Sequence, residues 1–333
     1  MKLLITGGAG FLGARLARTL LARGTLAGRA IDRLVLADLV PPPPDLAADA
    51  RVQARTGALL EQCAALADEG PDGVFHLASA VSSECEDDFE LGLRSNLDTT
   101  RALLDALRRR TEAGHAAPRF VFASSVAVFG SDPALPLPPV VRDDTLPTPQ
   151  SSYGVHKFVC EQLVADYTRK GYIDGRSARL MTVSVRPGKP NAAASSFLSG
   201  IIREPLAGQD AVCPVPPQTQ VAIASPARTI DGLIAVFEAE RERFGGRTAL
   251  NLPALTVRVQ DMLDALAEVA GPAALARVRF EPDAAIARIV GGWPSRFESA
   301  RTQRLGLAPD PDVRSIVLQY VHEHGMALPA HTR

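Results

Sequence analysis

Tyr153 and Lys157 stand four residues apart in a stretch, Ser152–Arg169, that reads as a helix, so their side chains share one face. A phenol with its ordinary pKa of about 10 is a poor base at neutral pH. An ammonium beside it stabilises the phenolate, and the two together make a proton-transfer device. Only four of the chain's 36 basic residues are lysines: Lys2, Lys157, Lys170 and Lys189. Arginine is the default cation here, so a lysine at this spacing is a specific choice. Upstream, Ala123-Ser124-Ser125-Val126 leaves the end of an apolar run. A hydroxyl there can hydrogen-bond the substrate oxygen whose proton Tyr153 handles. Adjacent residues of an extended chain point to opposite faces, so one of Ser124 and Ser125 is structural.

The first residues supply a second kind of chemistry. Lys2–Thr6 is an apolar run of strand character, and Phe11 opens a helical pattern through Leu12, Leu16 and Leu20. Gly7, Gly10 and Gly13 lie between and just beyond them. Such glycines permit a tight strand-to-helix turn, close backbone approach to a pyrophosphate and close helix–strand packing. The helix N-terminus then favours the phosphates. Asp38 ends a second strand, Arg33–Asp38, where a carboxylate hydrogen-bonds the adenosine ribose and repels a 2′-phosphate. The cofactor expected is therefore NAD rather than NADP.

These groups need a scaffold. Strands are expected at residues 51–55, 73–78, 119–123, 180–185 and 248–252, with helices at 59–67, 89–110, Ser152–Arg169 and 229–240. Strands alternating with helices indicate an α/β fold with a doubly wound parallel sheet. Residues 189–226 are rich in Pro, Ala and Ser, and a mixed remainder holds a helix near 259–269, a strand at 277–280 and a helix near 312–322. The expected organisation is a dinucleotide-binding Rossmann domain of residues 1–188 plus about 229–254. A smaller C-terminal substrate-binding cap, residues 189–228 plus about 255–333, completes it.

Composition narrows the classes. The 333 residues are 46% hydrophobic and 22% charged with a net charge of −1, so nothing favours nucleic acid or an anionic membrane as partner. The strand at the start leaves no room for a signal peptide, and no apolar run approaches a membrane span. Cys63, Cys85, Cys160 and Cys213 are dispersed, without metal-ligand spacing. A cytoplasmic protein with neither metal nor disulfide framework is expected.

Together these pieces resemble the extended short-chain dehydrogenase/reductase superfamily, in its epimerase/dehydratase-like branch. The carrying motifs are TGGAGFLG at residues 6–13, HLAS at 76–79, SSVAVFG at 124–130, YGVHK at 153–157 and SVRPG at 184–188. The resemblance implies catalytic roles for Ser125, Tyr153 and Lys157. It makes Phe11 and Leu12 contacts of the cofactor phosphates and places Ala78, Ser79, Ala80, Pro187 and Gly188 along the cofactor. Asn96 matches an asparagine that is mainly structural, and Ala58 stands where the family usually has an acid that meets the adenine amino group. Pairing of the two long helices, through Leu93, Leu97, Leu104, Val159 and Leu163, implies a homodimer.

A closer resemblance is to the D-erythronate dehydrogenase group, carried by RPGKPNAAASSF at residues 186–197, GIIREPL at 200–206 and CPVP at 213–216. It implies oxidation of a small sugar acid at C2. A sugar acid needs a cation for its carboxylate, and Lys189, Arg186, Arg203 and Arg228 are the candidates. Lys189 stands out as a lysine beside the expected nicotinamide site. Ser195 and Ser196 could hydrogen-bond substrate hydroxyls or cap a helix. His76 and His156 read as packing or surface residues rather than catalysts, since the Tyr/Lys pair already supplies the base. Two other readings compete: a nucleotide-sugar epimerase or dehydratase that recycles its NAD, and a non-catalytic NAD-sensing regulator.

Overall fold

The computed structural model describes residues 1–188 and 194–326. Its centre is a seven-stranded parallel sheet built from β1 (Lys2–Thr6), β2 (Arg33–Asp38), β3 (Val52–Thr56), β4 (Gly73–His76), β5 (Arg119–Ser125), β6 (Asp174–Leu180) and, much later in the chain, β9 (Leu250–Asn251). The spatial order is β3-β2-β1-β4-β5-β6-β9. The order reverses between β1 and β4, and ligands of such sheets bind at the carboxyl ends of the strands beside that reversal.

Each face of the sheet is apolar because its strands are buried on both sides, as parallel strands must be. One face packs α1 (Phe11–Arg23) and α6 (Pro226–Glu238), joining Leu3, Ile5, Leu16, Leu20, Phe75 and Phe237 in one core. The other packs α2 (Leu59–Asp68), α3 (Thr99–Glu112) and α4 (Ser152–Arg169) through Leu4, Val74, Leu103, Leu107, Phe120, Phe122 and Val164. Leu104 is fully buried there, and Leu97 and Leu163 pack against the same core. The apolar stripe expected on an outer face is thus largely spent on the sheet. What the long helices expose instead is Phe89, Val155 and Val159.

The strand expected at 180–185 is two elements. β6 ends at Leu180, and Thr182–Val183 (β7) leaves to join a three-stranded sheet ordered β10-β8-β7, with β8 at Gln220–Ala224 and β10 at Leu255–Arg258. β6 escapes a hydropathy reading because Asp174, Arg176 and Arg179 lie within it. Arg176 is wholly buried, held by Asp174 and by the Ala239 carbonyl at 2.8 Å each.

The cap has its own core. α5 (Phe197–Leu206), α7 (Val259–Ala270) and α8 (Val313–Glu323) meet through Leu198, Ile202, Met262, Leu266, Ile316 and Val317. Ser199 and Arg203 of α5, with Ser196 just before it, line one cavity with residues at and after the carboxyl ends of β1, β4 and β5.

Candidate active site

The cavity measures about 1050 Å3 and runs from the glycine turn to the foot of the cap. At one end β1 turns sharply into α1. Gly7 has a φ of +70°, and a Cβ on it would lie 2.8 Å from the Ala78 amide nitrogen. A Cβ on Gly13 would overlap the Gly7 carbonyl oxygen. The turn therefore exists only with glycines at these positions. The helix ladder starts with the Ala14 N–H donating to Gly10 O at 2.8 Å, and no side chain caps the helix. Phe11, Leu12 and Gly13 precede that ladder and line the cavity, which makes their region a ready anion cradle. Asp38 lines the same end, and its Oδ2 accepts from the Ala9 N–H at 3.0 Å. Its Oδ1 accepts from the Val40 N–H at 3.4 Å, so one carboxylate ties the glycine turn to the chain that leaves β2. Gly57, Ala58, Leu59, Leu60 and Glu61 continue the cavity wall.

The middle is formed by Leu77, Ala78, Ser79 and Ala80 after β4. Asn96 holds this strip: its Oδ1 accepts from Ala80 N at 2.8 Å and Ser79 Oγ at 2.9 Å, and its Nδ2 donates to Ala80 O at 3.2 Å. Asn96 sits in a π-helical turn, Leu93–Asp98, whose wider winding sends Arg94 and Ser95 to the cavity. Sequence reasoning did not find Arg94, because a π-turn leaves no sequence mark. Beneath this strip His76 is wholly buried between Thr6 and Thr100, at 2.6 and 2.9 Å. Thr100 gives its own proton to Asn96 O, so the ring hydrogen is assigned to Nε2 and Nδ1 accepts from Thr6. Burial, with Lys157 nearby, pushes the imidazole down to a pKa of about 3, a neutral packing residue.

Ser125, Tyr153 and Lys157 converge at the far end. Ser124 and Ser125 do face opposite ways. The Ser124 hydroxyl donates to Glu161 Oε1 at 2.5 Å, inside the protein, and Glu161 is clamped by Arg179 through bonds of 2.8 and 2.7 Å. Ser125 lines the cavity and accepts from Ala127 N at 3.1 Å, which leaves its hydrogen to donate. Lys157 is 4% exposed; its Nζ donates to Ala123 O at 2.9 Å and lies 5.5 Å from the Tyr153 ring centre and 4.9 Å from that of Phe122. The carbonyl at the end of β5 and the helix spacing of α4 thus aim the ammonium.

Cationic residues line this end. Arg186 and Arg203 line the cavity with Pro187, Ser196 and Ser199. Gly188 is exposed just beyond with a φ of +88°, and Ser195 is half-buried in the turn that starts α5. Lys189 lies outside the described residues. Arg228 is not among the cavity-lining residues: it sits in the first turn of α6, half exposed, 3.9 Å from Asp231. Ser225 caps that turn, accepting from the Arg228 N–H at 3.1 Å.

The residues present fit a dinucleotide. The glycine cradle admits no side chain, the free helix start suits a diphosphate, and the cavity is long enough to continue from Asp38 to Tyr153. Among the described residues no group of ligands could hold a metal ion, and no helix is long and apolar enough to cross a membrane.

Comparison with known proteins agrees. The chain is 49% identical to the D-erythronate dehydrogenase of Cupriavidus necator, covering 98% of this chain and all of that one. It is 40% identical to the D-erythronate dehydrogenase of Haemophilus influenzae, over 96% of this chain and 99% of the relative. A crystal structure described as a nucleoside-diphosphate-sugar epimerase from Agrobacterium tumefaciens superposes with a TM-score of 0.93 at 40% identity, covering 99% and 96% of the two chains. The profile of the NAD dependent epimerase/dehydratase family matches residues 3–221. With the glycine cradle, Asp38 and the Ser125, Tyr153, Lys157 set on one cavity, this chain belongs to the NAD dependent epimerase/dehydratase family.

Proposed function

We propose that the protein is an NAD-dependent dehydrogenase that oxidises the C2 hydroxyl of a small sugar acid of the D-erythronate type. The observation that carries this reading is one cavity joining a dinucleotide cradle, a Ser/Tyr/Lys relay and the guanidinium groups of Arg186 and Arg203. The names of the two curated relatives point to the same substrate.

Gly7, Gly10, Phe11, Leu12 and Gly13 hold the cofactor phosphates, and Asp38 takes the adenosine ribose. Ala78, Ser79, Ala80, Pro187 and Gly188 flank the rest, and Lys157 reaches the nicotinamide ribose. Bound NAD supplies the hydride acceptor. Ser125 donates its hydrogen bond to the substrate oxygen and fixes that oxygen beside Tyr153. Tyr153, as phenolate, takes the hydroxyl proton while the C2–H bond breaks. Lys157 stabilises the phenolate electrostatically and is itself held by the Ala123 carbonyl. Ser195 and Ser196 offer hydroxyls to the sugar chain, and Lys189 stands as a second cation for the acid. The enzyme is proposed to act in the cytoplasm as a homodimer, pairing the exposed Phe89, Val155 and Val159 of its long helices.

The test is net NADH formation across C4 to C6 sugar acids and UDP-sugars. D-erythronate should yield NADH. Tyr153→Phe should lose roughly 10²–10⁴ in turnover while NADH still binds. Epimerisation of a UDP-sugar with no net NADH would move the protein to the epimerase reading that the 40% identical solved structure suggests.

A further inference from the structure

We infer that Arg186 is the residue that grips the substrate's carboxylate, and that seating the acid there, in the cavity it shares with Tyr153, restricts the enzyme to acids whose hydroxyl is on the adjacent carbon. This rests on the sugar-acid reading above. Four cations were available from the sequence; three of them, Arg186, Arg203 and Arg228, are among the described residues and differ in what each already holds.

Arg203 is committed. Its Nη1 donates to the Arg186 carbonyl at 2.7 Å and its Nη2 to Glu204 Oε1 at 2.5 Å. Arg228 points elsewhere, near Asp231. Arg186 is different: its Nε donates to Val183 O at 3.2 Å, and its two terminal nitrogens make no bond to a described residue. Among the described residues no acceptor takes those two nitrogens, so a carboxylate entering the cavity meets a fork of two donors. Burial does push its pKa down, while the phenol of Tyr153 acts against that, so the charge lies within electrostatic reach of the proposed base.

The peptide of Arg186 is clamped at both ends. Its N–H donates to Ser199 Oγ at 3.0 Å, and its carbonyl takes the bond from Arg203; both partners are on α5. A planar fork held this way suits a bidentate carboxylate. On this reading the acid sits on Arg186 and the reacting hydroxyl between Ser125 and Tyr153, all three lining one cavity, and the substrates expected are 2-hydroxy acids.

The test uses the full-length enzyme with NAD and D-erythronate, D-erythronamide as the uncharged analogue, and 3-deoxy and 2-deoxy acids for position. Arg186→Met should raise KM for the acid roughly 10- to 10²-fold, the loss of a charged hydrogen-bond pair. It should leave NADH affinity, read by fluorescence, within about twofold, since the cofactor contacts proposed above do not include this side chain. Discrimination between acid and amide should shrink by a similar factor. Arg186→Lys should recover part of the KM, because charge returns without the fork. The inference is overturned if Arg186→Met leaves both KM and the acid/amide ratio unchanged, or if Lys189→Met rather than Arg186→Met carries the loss. It is also overturned if the 2-deoxy acid is oxidised at C3 as well as the parent is at C2. If the wild type oxidises no sugar acid at all, the sugar-acid reading fails, a result distinguishable from the others.

Discussion

The sharpest structural test is Glu161→Leu. Glu161 lies on α4 one turn beyond Lys157, is 2% exposed, and receives Arg179 at 2.8 and 2.7 Å and Ser124 at 2.5 Å. Among the described residues, removing it leaves the Arg179 guanidinium buried with Asn251 Oδ1 at 3.4 Å and the face of Phe129 at 4.8 Å. Breaking one side of a buried pair costs about 3–5 kcal/mol because the other charge stays desolvated. The orphaned Ser124 hydroxyl adds about 1 kcal/mol. The total expected loss is therefore roughly 4–6 kcal/mol. Replacing both partners, Glu161→Leu with Arg179→Met, removes the stranded charge and should recover most of it. Equilibrium urea unfolding followed by far-UV circular dichroism reads both. A single-variant loss below about 1 kcal/mol, or additive losses in the double variant, would refute the reasoning that the pair is one desolvated unit.

Gly13→Ala should abolish NADH binding or folding outright, since its Cβ would overlap the Gly7 carbonyl; tight NADH binding by a folded variant would show that the turn can relax. Wild type should prefer NAD to NADP by about tenfold or more, and Asp38→Ser should narrow the gap; equal use of both cofactors by the wild type would remove Asp38 from the ribose. His76 titrates in the unfolded chain near its ordinary value but near 3 when folded. The unfolded state then binds the extra proton between those values, so stability falls as pH drops through that window, by about 2 kcal/mol from pH 7.5 to pH 5. His76→Gln, which cannot titrate, should show a correspondingly shallower dependence of the urea midpoint on pH.

Much of this was legible because it is written in short-range chemistry. Gly7, Gly10 and Gly13 allow one backbone path, and Arg33–Asp38 and Ser152–Arg169 have the bounds that their patterns predict. Asp38 and the Tyr153/Lys157 pair follow from position at strand end and helix face. What stayed hidden depends on partners distant in the chain. β6 carries Asp174, Arg176 and Arg179, which look like surface residues until Ala239 and Glu161 arrive to satisfy them. The resemblance pointed to Ser125, but the task of Ser124 needed Glu161, 37 residues away in the chain. Arg94 needed a π-turn, and Arg186 could be told from Arg203 and Arg228 only by the bonds already made.

The late arrival of β9 has a consequence for how the protein is made. When a ribosome has delivered everything through β6, the nucleotide-binding half already has its six earlier strands, yet β6 is an open edge with unpaired amides and carbonyls. About seventy residues must still emerge before Leu250 and Asn251 pair with Ala178 and Arg179. Even then the closing strand is held from later chain: Arg301 donates to the Thr248 and Ala249 carbonyls at 3.0 Å each, and Thr302 to the Asn251 carbonyl at 2.5 Å. A nascent chain stalled between these points displays a sticky parallel edge, the kind of surface that recruits holdase chaperones or pairs wrongly with its neighbours. Translation speed across residues 181–249 is therefore a lever on yield, independent of the stability of the finished enzyme.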